Sequence, residues 1–150
     1  VIKASFTVVF VIVFLTSYPQ VGRETIAKGD NIITITSQLS SVSAFLVCPK
    51  YLIQKGYSFE SRDAGLGQIV TSQRSYAGGF NYKLNMVFNG TDIKIRAMAQ
   101  VMTLSQQIVW SDWYYVKAKA SLFNDAFVKF HPDLLGLAEH FGGKVSYAKE

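Results

Sequence analysis

The sequence predicts an α+β domain in which an antiparallel sheet packs, in two layers, against a long C-terminal helix. Two patterns carry the prediction. Apolar and polar residues alternate over much of 80–101, which is the period of a half-buried strand, and apolar residues recur at spacings of three and four over 121–141, which is the period of a helix. A chain of 150 residues suits one hydrophobic core, because domains typically hold about 100–150 residues. A sheet covered by helices on one face then gives a helix-grip-like, two-layer fold.

Composition and charge restrict the classes of function. The chain is 49% apolar and 17% charged, so it is not intrinsically disordered. A single cysteine, Cys48, excludes an intramolecular disulfide framework, and its apolar neighbours indicate a small buried side chain. Two histidines offer little for a metal site, and we expect neither a metal nor a cofactor. The net charge of +5 is spread without any run of five basic residues, so we expect no nucleic-acid partner.

The first seventeen residues have the pattern of a secretory signal peptide. An uncharged apolar run over 4–16 follows Lys3 and precedes Ser17, the expected cleavage point. The run is shorter than the ~20 residues of a membrane-spanning helix. A retained anchor and a buried strand are the alternatives, and membrane association is expected only if this segment is retained. We therefore expect an extracytoplasmic chain, periplasmic or secreted, divided into a signal peptide over 1–17, a lead-in segment over 18–30 and one domain over 31–150.

The domain begins with a strand and a helix. Residues 31–36 are rich in β-branched side chains, which favour strands. Apolar spacings of three and four then predict a helix over 37–55, with Ser37 as its N-cap and Gly56 as the residue that ends it. Pro49 lies inside this pattern and removes a backbone hydrogen bond, so we expect the helix to be kinked or interrupted there.

Strands follow this helix. The period changes to two at Tyr57. The pattern predicts a strand from Tyr57 to Ser61, a turn over 63–67, a strand over 68–75 and a second turn over 76–79.

A β-hairpin is predicted around Asn89-Gly90, the preferred pair of a two-residue type I′ turn. The segments on both sides alternate apolar and polar residues. A turn at this pair places Met86 opposite Ile93, so that the apolar side chains of both strands share one face.

The same register creates a basic patch on the other face of the hairpin. It places Lys83 opposite Arg96 and Asn85 opposite Lys94. Like charges directly opposite one another are unfavourable, so this face is either solvated or binds an anion. Lys83, Lys94 and Arg96 are therefore candidate anion-binding residues.

An aromatic cluster lies in residues 104–119, which are predicted to form a loop leading into a short strand or a helix. Contiguous exposed aromatic residues mark interaction sites. The candidate ligand or partner surface consists of Trp110, Asp112, Trp113, Tyr114 and Tyr115.

The chain ends with a predicted helix over 121–141 and a short strand over 144–149. Pro132 predicts a kink or two abutting helices, with His131 and Asp133 in a capping arrangement. His131 and His140 are nine residues apart, which places them on opposite sides of one continuous helix.

A short motif follows the first helix: Lys55-Gly56-Tyr57, then Ser61, Asp63, Gly67, Ile69 and Thr71. With the order of elements over 31–147, it resembles the helix-grip domains of small bacterial envelope proteins, including the repeated domain of the lipoprotein BamC. It also resembles an uncharacterised family of secreted bacterial domains. The resemblance implies an envelope location and a curved sheet around a helix, and it carries over no catalytic residue. The chain departs from BamC because no lipid-bearing cysteine follows the apolar run.

Three functions follow as hypotheses. The first is a non-catalytic binding or scaffold domain of the cell envelope whose partner is an envelope protein. The second is a carrier of a lipid-like ligand, in a cavity of several hundred Å³ (a typical ligand-site volume) between the sheet and the C-terminal helix. The third is an enzyme that uses Asp112 with His131 or His140, which requires those groups within hydrogen-bond reach.

Overall fold

The computed structural model of the chain describes residues 22–77, 79–105, 107–110, 112–120 and 123–150, without the side chains of residues 77 and 102–110. The predicted signal peptide lies outside the described residues. The elements are β1 (Ile32–Thr36), α1 (Ser41–Gln54), β2 (Phe59–Asp63), β3 (Gln68–Thr71), β4 (Arg74–Ala77), β5 (Phe80–Asn89), β6 (Asp92–Ser105), β7 (Gln107–Trp110), β8 (Tyr114–Tyr115), α2 (Asn124–His140) and β9 (Lys144–Ala148).

The strands form an antiparallel sheet in the order β2-β3-β5-β6-β1-β9. Beyond this path, β4 pairs with β5, while β7 and β8 pair with β6. The predicted α+β class with an antiparallel sheet and a C-terminal helix is confirmed.

The hydrophobic core lies between the sheet and the two helices. On α1, Phe45 packs edge-on against Phe88 of β5, with ring centroids 5.5 Å apart. On α2, Phe130 lies 5.7 Å from the ring of Tyr82, also on β5. Side chains two residues apart on a strand share a face, so both helices cover the same face, here called the inner face. Its buried residues include Ile33, Ile35, Ile69, Tyr82, Leu84, Met86, Phe88, Ile93, Ile95, Ala97, Ala99 and Tyr147.

Helix α1 is shorter than predicted and is not interrupted. Its N-cap is Ser40, whose side chain accepts a hydrogen bond from the backbone N–H of Ser43, whereas Ser37 forms a turn that precedes the helix. Pro49 lies inside the helix and is buried. The predicted interruption is wrong because packing of the helix against the sheet offsets the hydrogen bond that Pro49 removes. Gly56, with φ of +82°, ends the helix as predicted.

The predicted strand over 68–75 is two strands, and the predicted turn over 76–79 is partly strand. The pairs between β3 and β5 end at Val70, while the backbone N–H of Ser72 still donates a 2.9 Å hydrogen bond to the carbonyl of Ser58, next to the Phe59↔Thr71 pair of β2 and β3. β3 pairs with the C-terminal half of β5, for example at Ile69↔Met86. β4 pairs with the N-terminal half of β5, for example at Arg74↔Tyr82. The ten residues of β5 thus support two shorter strands in succession.

The β5–β6 hairpin is confirmed, but its register differs from the prediction by two residues. Asn89 pairs with Asp92 and Met86 with Ile95, so the two-residue loop is Gly90-Thr91. Of these two, Gly90 has a positive φ, +60°. A positive φ at the first central position is the pattern of a type II′ turn, which requires glycine there, and this requirement outweighs the preference of Asn-Gly for type I′.

The C-terminal half corrects two further predictions. The short strand predicted within residues 104–119 is present as β8, but the segment before it is strand rather than loop, because β6 continues to Ser105 and returns as β7. α2 is one helix that includes Pro132, so the predicted alternative of two abutting helices is wrong. The carbonyl that Pro132 leaves without its usual donor belongs to Val128, which is exposed, so water can replace the missing partner.

The lead-in segment belongs to the fold from Gly22 onward. Arg23 and Tyr147 exchange two backbone hydrogen bonds, of 2.9 and 2.8 Å, along the edge of β9. Asp30 is buried and accepts hydrogen bonds from the Arg23 guanidinium and from the backbone N–H of Ala27. The sequence pattern did not predict this packing, because a polar segment gives no periodic signal.

Candidate binding site on the outer sheet face

The candidate site lies on the face of the sheet opposite α1 and α2, here called the outer face. Asn85 and Val87 of β5 point there, as do Lys94 and Arg96 of β6, because they alternate with buried inner-face residues. Strands position these side chains, so their spacing is fixed by the ladder.

The predicted anion-binding residues all lie on the outer face, but their arrangement differs from the prediction. Lys83 faces Met98 rather than Arg96, because of the two-residue shift in register. Lys83 Nζ lies 3.1 Å from Glu60 Oε2, and Arg96 pairs with Glu150. Carboxylates therefore offset two of the three cations. Lys94 is exposed and has no ion pair among the described residues.

The structure brings part of the predicted aromatic surface to the same place. The Nζ of Lys83 lies 4.7 Å from the centre of a Trp113 ring, and the guanidinium carbon of Arg96 lies 5.5 Å from the centre of the Tyr115 ring. These are cation–π distances. The short strand β8 holds the segment in position, since Tyr115 pairs with Met98. Two separately predicted sites are thus one surface, and no local signal in the sequence links them.

Of the remaining residues of the aromatic surface, Tyr114 lies beside Tyr115 at a shared depression. Tyr114 alternates with Tyr115 and stacks on Phe123, with ring centroids 6.1 Å apart. Asp112 is exposed. Trp110 pairs with Met102 in the β6–β7 ladder, and its side chain is not described.

Three shallow depressions lie around Tyr115 and Lys94 and share these two residues in their lining. The first has a volume of about 360 Å³ and is lined by Tyr114, Tyr115, Lys117, Ala120 and Phe123. The second, of about 210 Å³, shares Tyr115 with the first and continues along Asn85, Val87, Lys94 and Arg96. The third, of about 430 Å³, shares Lys94 with the second, crosses β1 and β9 at Thr34 and Ser146, and is also lined by the carboxylates Asp92 and Glu150. We call these three depressions the outer groove.

Tyr57, the last residue of the Lys55-Gly56-Tyr57 motif, takes part in a polar network in the core. The hydroxyl of Tyr57 donates a 2.9 Å hydrogen bond to Asp133 and lies 3.1 Å from the hydroxyl of Tyr82. Arg74 lies over the Tyr57 ring at 4.5 Å. Burial, the hydrogen bond with Tyr82 and the charge of Asp133 raise the pKa of Tyr57, so the phenol stays neutral. The network ties α2 to the sheet.

The two histidines have partners other than the predicted ones. His131 Nε2 lies 2.8 Å from the hydroxyl of Tyr147, and burial lowers the pKa of His131. His140 packs against the ring of Tyr51 at 5.4 Å. The predicted cap formed by His131 and Asp133 is wrong, because both residues lie inside α2.

The described residues were the place to find a reactive cysteine or a metal site, and Cys48 has neither the exposure nor the pKa of a nucleophile. Cys48 is fully buried, its Sγ lies 3.9 Å from Sδ of Met86, and burial raises the pKa of the thiol to about 12. Within the described part of the chain, no cluster of three His, Cys, Asp or Glu side chains could hold a metal ion.

Comparisons with protein-family models, with curated proteins and with solved structures found no match to this chain. Among the helices that the structure describes, none is both long enough and apolar enough to cross a membrane.

Proposed function

We propose that the chain is an exported, non-catalytic binding or scaffold domain of the bacterial cell envelope, and that it attaches to an envelope component through the outer face of its sheet. The observation that carries this proposal is the meeting of Lys83 and Arg96 with Trp113 and Tyr115 on the face opposite the helices. Aromatic and arginine side chains are enriched in interaction sites. Arg96 and Tyr115 line the outer groove and are accessible there.

The apolar run over 4–16 supports export, since it has the length and flanking residues of a signal peptide. The order of elements supports a helix-grip-like relationship to envelope domains: α1 precedes the antiparallel strands, and α2 packs on the sheet near the C-terminus. We propose both the envelope location and the relationship to helix-grip domains.

The carrier hypothesis has less support. It requires open space between the sheet and α2, where the rings of Tyr82, Phe127 and Phe130 pack against one another at 5.3 to 5.7 Å. Tyr82 and Phe130 are almost completely buried. The outer groove meets α2 at its N-cap, Phe123, and not at these three rings.

The location is tested by expressing the full chain with a C-terminal epitope in a Gram-negative host. After fractionation, mass spectrometry of the purified protein reports its N-terminus and any retained ligand. We expect a periplasmic or secreted chain that begins near Tyr18. An intact chain in the cytoplasm would contradict export, and a co-purified lipid would favour the carrier function.

The binding surface is tested by co-sedimentation with isolated bacterial cell envelopes. We expect the processed protein to sediment with envelopes and Tyr115→Ala to remain in the supernatant. Val128→Ser changes an exposed side chain on α2, far from the outer face, and serves as the matched control. If the wild-type protein does not sediment, or if all three proteins sediment alike, the proposal is wrong.

A further inference from the structure

Helix α1 carries a strip of apolar side chains on its exposed surface. Val42, Leu46 and Ile53 are 69%, 58% and 58% exposed. At 3.6 residues per turn, these three positions lie within about 40° of one another around the helix axis. Leu66, in the turn between β2 and β3, is 70% exposed. We call these four residues the apolar patch, and exposed apolar side chains that cluster in this way mark interaction sites.

The strip and the β2–β3 turn face one shared depression. It has a volume of about 150 Å³ and is lined by Val42 and Leu46 on the helix and by Ala64 and Gly67 at the turn. Leu66 lies between the last two in the chain. The four apolar side chains therefore belong to one side of the molecule.

Helix α2 leaves this side of α1 open. The ring of His140 on α2 packs against the ring of Tyr51 on α1, with centroids 5.4 Å apart. Position 51 lies about 160° around the helix from the centre of the strip. The two helices therefore meet on the far side of α1, and the apolar patch is accessible in the folded domain.

Two cations lie beside the patch. Lys50 is exposed and lies on α1, about 60° around the helix from the centre of the strip. Arg62, also exposed, pairs with the inward-facing Ile69, so its side chain lies on the same face of the sheet as α1. Burial raises the pKa of the Cys48 thiol on α1 and the charge of Arg62 lowers it, which agrees with this position. A negatively charged surface would meet both cations here.

Acidic side chains do not offset these cations. Residues 31–59, which include all of α1, contain no Asp or Glu. Glu60 on β2 forms its ion pair with Lys83 of the outer face. Asp63 ends β2, and its carboxylate accepts a 2.9 Å hydrogen bond from the backbone N–H of Leu66. Neither Lys50 nor Arg62 has an ion pair among the described residues.

We propose that the apolar patch rests on an anionic lipid membrane, with its four side chains at the acyl boundary and Lys50 and Arg62 at the lipid phosphates. This contact goes beyond the proposed function, because it lies on the helix side of the sheet and not on the outer face. Protruding apolar side chains flanked by cations are the pattern of a helix that lies in a membrane interface.

Other occupants fit the patch less well. A bound peptide helix needs a groove for its row of anchoring side chains, and the depression of about 150 Å³ is smaller than the ~300 Å³ of a small ligand site. A second copy of the chain would set Lys50 and Arg62 against like charges. A stable dimer also needs about 800 Å² on each partner, which is more than four side chains supply.

The lipid contact should be weak by itself. A single acyl chain gives only marginal membrane binding, and four short side chains that insert in part should not exceed it. The contact would therefore strengthen attachment through the outer face without replacing it. It is measured with vesicles at high lipid concentration.

The test is flotation of the processed chain, which begins near Tyr18, with vesicles of equal parts phosphatidylcholine and phosphatidylglycerol. Without residues 1–17, the predicted signal peptide cannot insert into the vesicles. We expect binding that weakens at about 1 M salt, where the Debye length falls to ~3 Å, and weaker binding to pure phosphatidylcholine. Val42→Gln and Lys50→Gln should each weaken binding by roughly fivefold, which corresponds to ~1 kcal/mol.

Matched control variants lie on α2. Val128→Gln and Lys129→Gln make the same changes at exposed positions and should leave vesicle binding unchanged. Tyr115→Ala, on the outer face, should also bind vesicles like the wild type, although we expect it to lose envelope sedimentation. The two contacts can therefore fail separately.

Three vesicle results would overturn the membrane contact: no binding to anionic vesicles, equal binding to neutral vesicles, or equal losses in the control variants. Analytical ultracentrifugation without lipid tests the second copy, since a dimer that Val42→Gln dissociates would assign the patch to self-association and reject the membrane. Circular dichroism shows whether Val42→Gln is folded. Lys50→Gln, an exposed change of charge, keeps the test decisive if it is not.

Discussion

The hydroxyl of Tyr57 donates a 2.9 Å hydrogen bond to the carboxylate of Asp133, although the two residues are 76 positions apart in the chain. Tyr57 opens the strand region after α1, and Asp133 lies inside α2. The bond therefore joins the segment that follows α1 to the middle of α2. The Tyr57 hydroxyl also lies 3.1 Å from the hydroxyl of Tyr82, so the buried hydroxyl of Tyr82 has a hydrogen-bond partner.

Tyr57→Phe should destabilise the domain. The change keeps the ring but removes the hydroxyl, so Asp133 and Tyr82 both lose a hydrogen-bond partner. We expect the free energy of unfolding to fall by about 1–3 kcal/mol, the usual cost of leaving a buried polar group unpaired. Urea denaturation measures it. Tyr114→Phe removes a hydroxyl from a half-exposed ring and is the control; equal losses in the two variants would show that the buried network adds nothing.

Two glycines with nearly the same φ should respond differently to alanine. Gly67 and Gly90 have φ of +59° and +60°, where a side chain costs about 1–2 kcal/mol. A Cβ at Gly90 would meet nothing within 4 Å, whereas at Gly67 it would lie 2.8 Å from the carbonyl oxygen of Phe88. Gly67→Ala should therefore lower the free energy of unfolding by at least about 1 kcal/mol more than Gly90→Ala. Thermal unfolding of both variants decides this, and a larger loss at Gly90 would contradict it.

The thiol of Cys48 should be unreactive in the native protein. Burial raises its pKa from 9.0 to about 12, and the side chain has no exposed surface. At pH 8 we expect labelling by iodoacetamide to be slower in buffer than in urea by a factor on the order of 100 or more, because the thiolate is the reactive form. A cysteine introduced as Ser43→Cys, at an exposed position of α1, should react in both conditions. Rapid labelling of Cys48 in buffer would show that the core opens there.

Acidification should weaken the fold through His131. Burial lowers its pKa below the ordinary value of 6.5, so the unfolded chain binds the proton more readily. The contribution of His131 to stability is therefore complete above pH 6.5 and is lost as the pH falls below it. Urea denaturation between about pH 7 and pH 5 should show a smaller decline in His131→Gln than in the wild type. An NMR titration that placed the pKa of His131 above 6.5 would reverse the sign and refute the prediction.

Periodicity predicted which face of the hairpin is buried, but not which residues pair. Met86 and Ile93 both point inward in the structure, although Met86 pairs with Ile95. A shift of two residues returns every side chain to the same face, so the apolar pattern is satisfied by both registers. The turn decides between them, and its conformation depends on the φ of Gly90 and Thr91 together. The composition of Asn89-Gly90 alone could not settle that choice.

The candidate site was predicted in two halves whose connection could not be predicted. The alternation of β5 and β6 put Lys83 and Arg96 on one face, and the cluster of rings marked Trp113 and Tyr115. Their contact depends on the pairing of β8 with β6, which two residues make over a long sequence separation. Local patterns carry no information on such a pairing. Pro49 and Pro132 failed as helix breaks for a related reason, because tertiary packing outweighs local preference.

The pairing of Arg23 with Tyr147 puts the start of the described chain beside its last strand. Glu150 also donates a 2.9 Å backbone hydrogen bond to the side chain of Asn31. Adjacent termini allow circular permutation. A permutant that joins residue 150 to residue 22 through a short glycine linker, and opens at the exposed Gly90-Thr91 loop, should keep the contacts of Lys83 with Trp113 and of Arg96 with Tyr115 while releasing both ends at the opposite tip of the molecule.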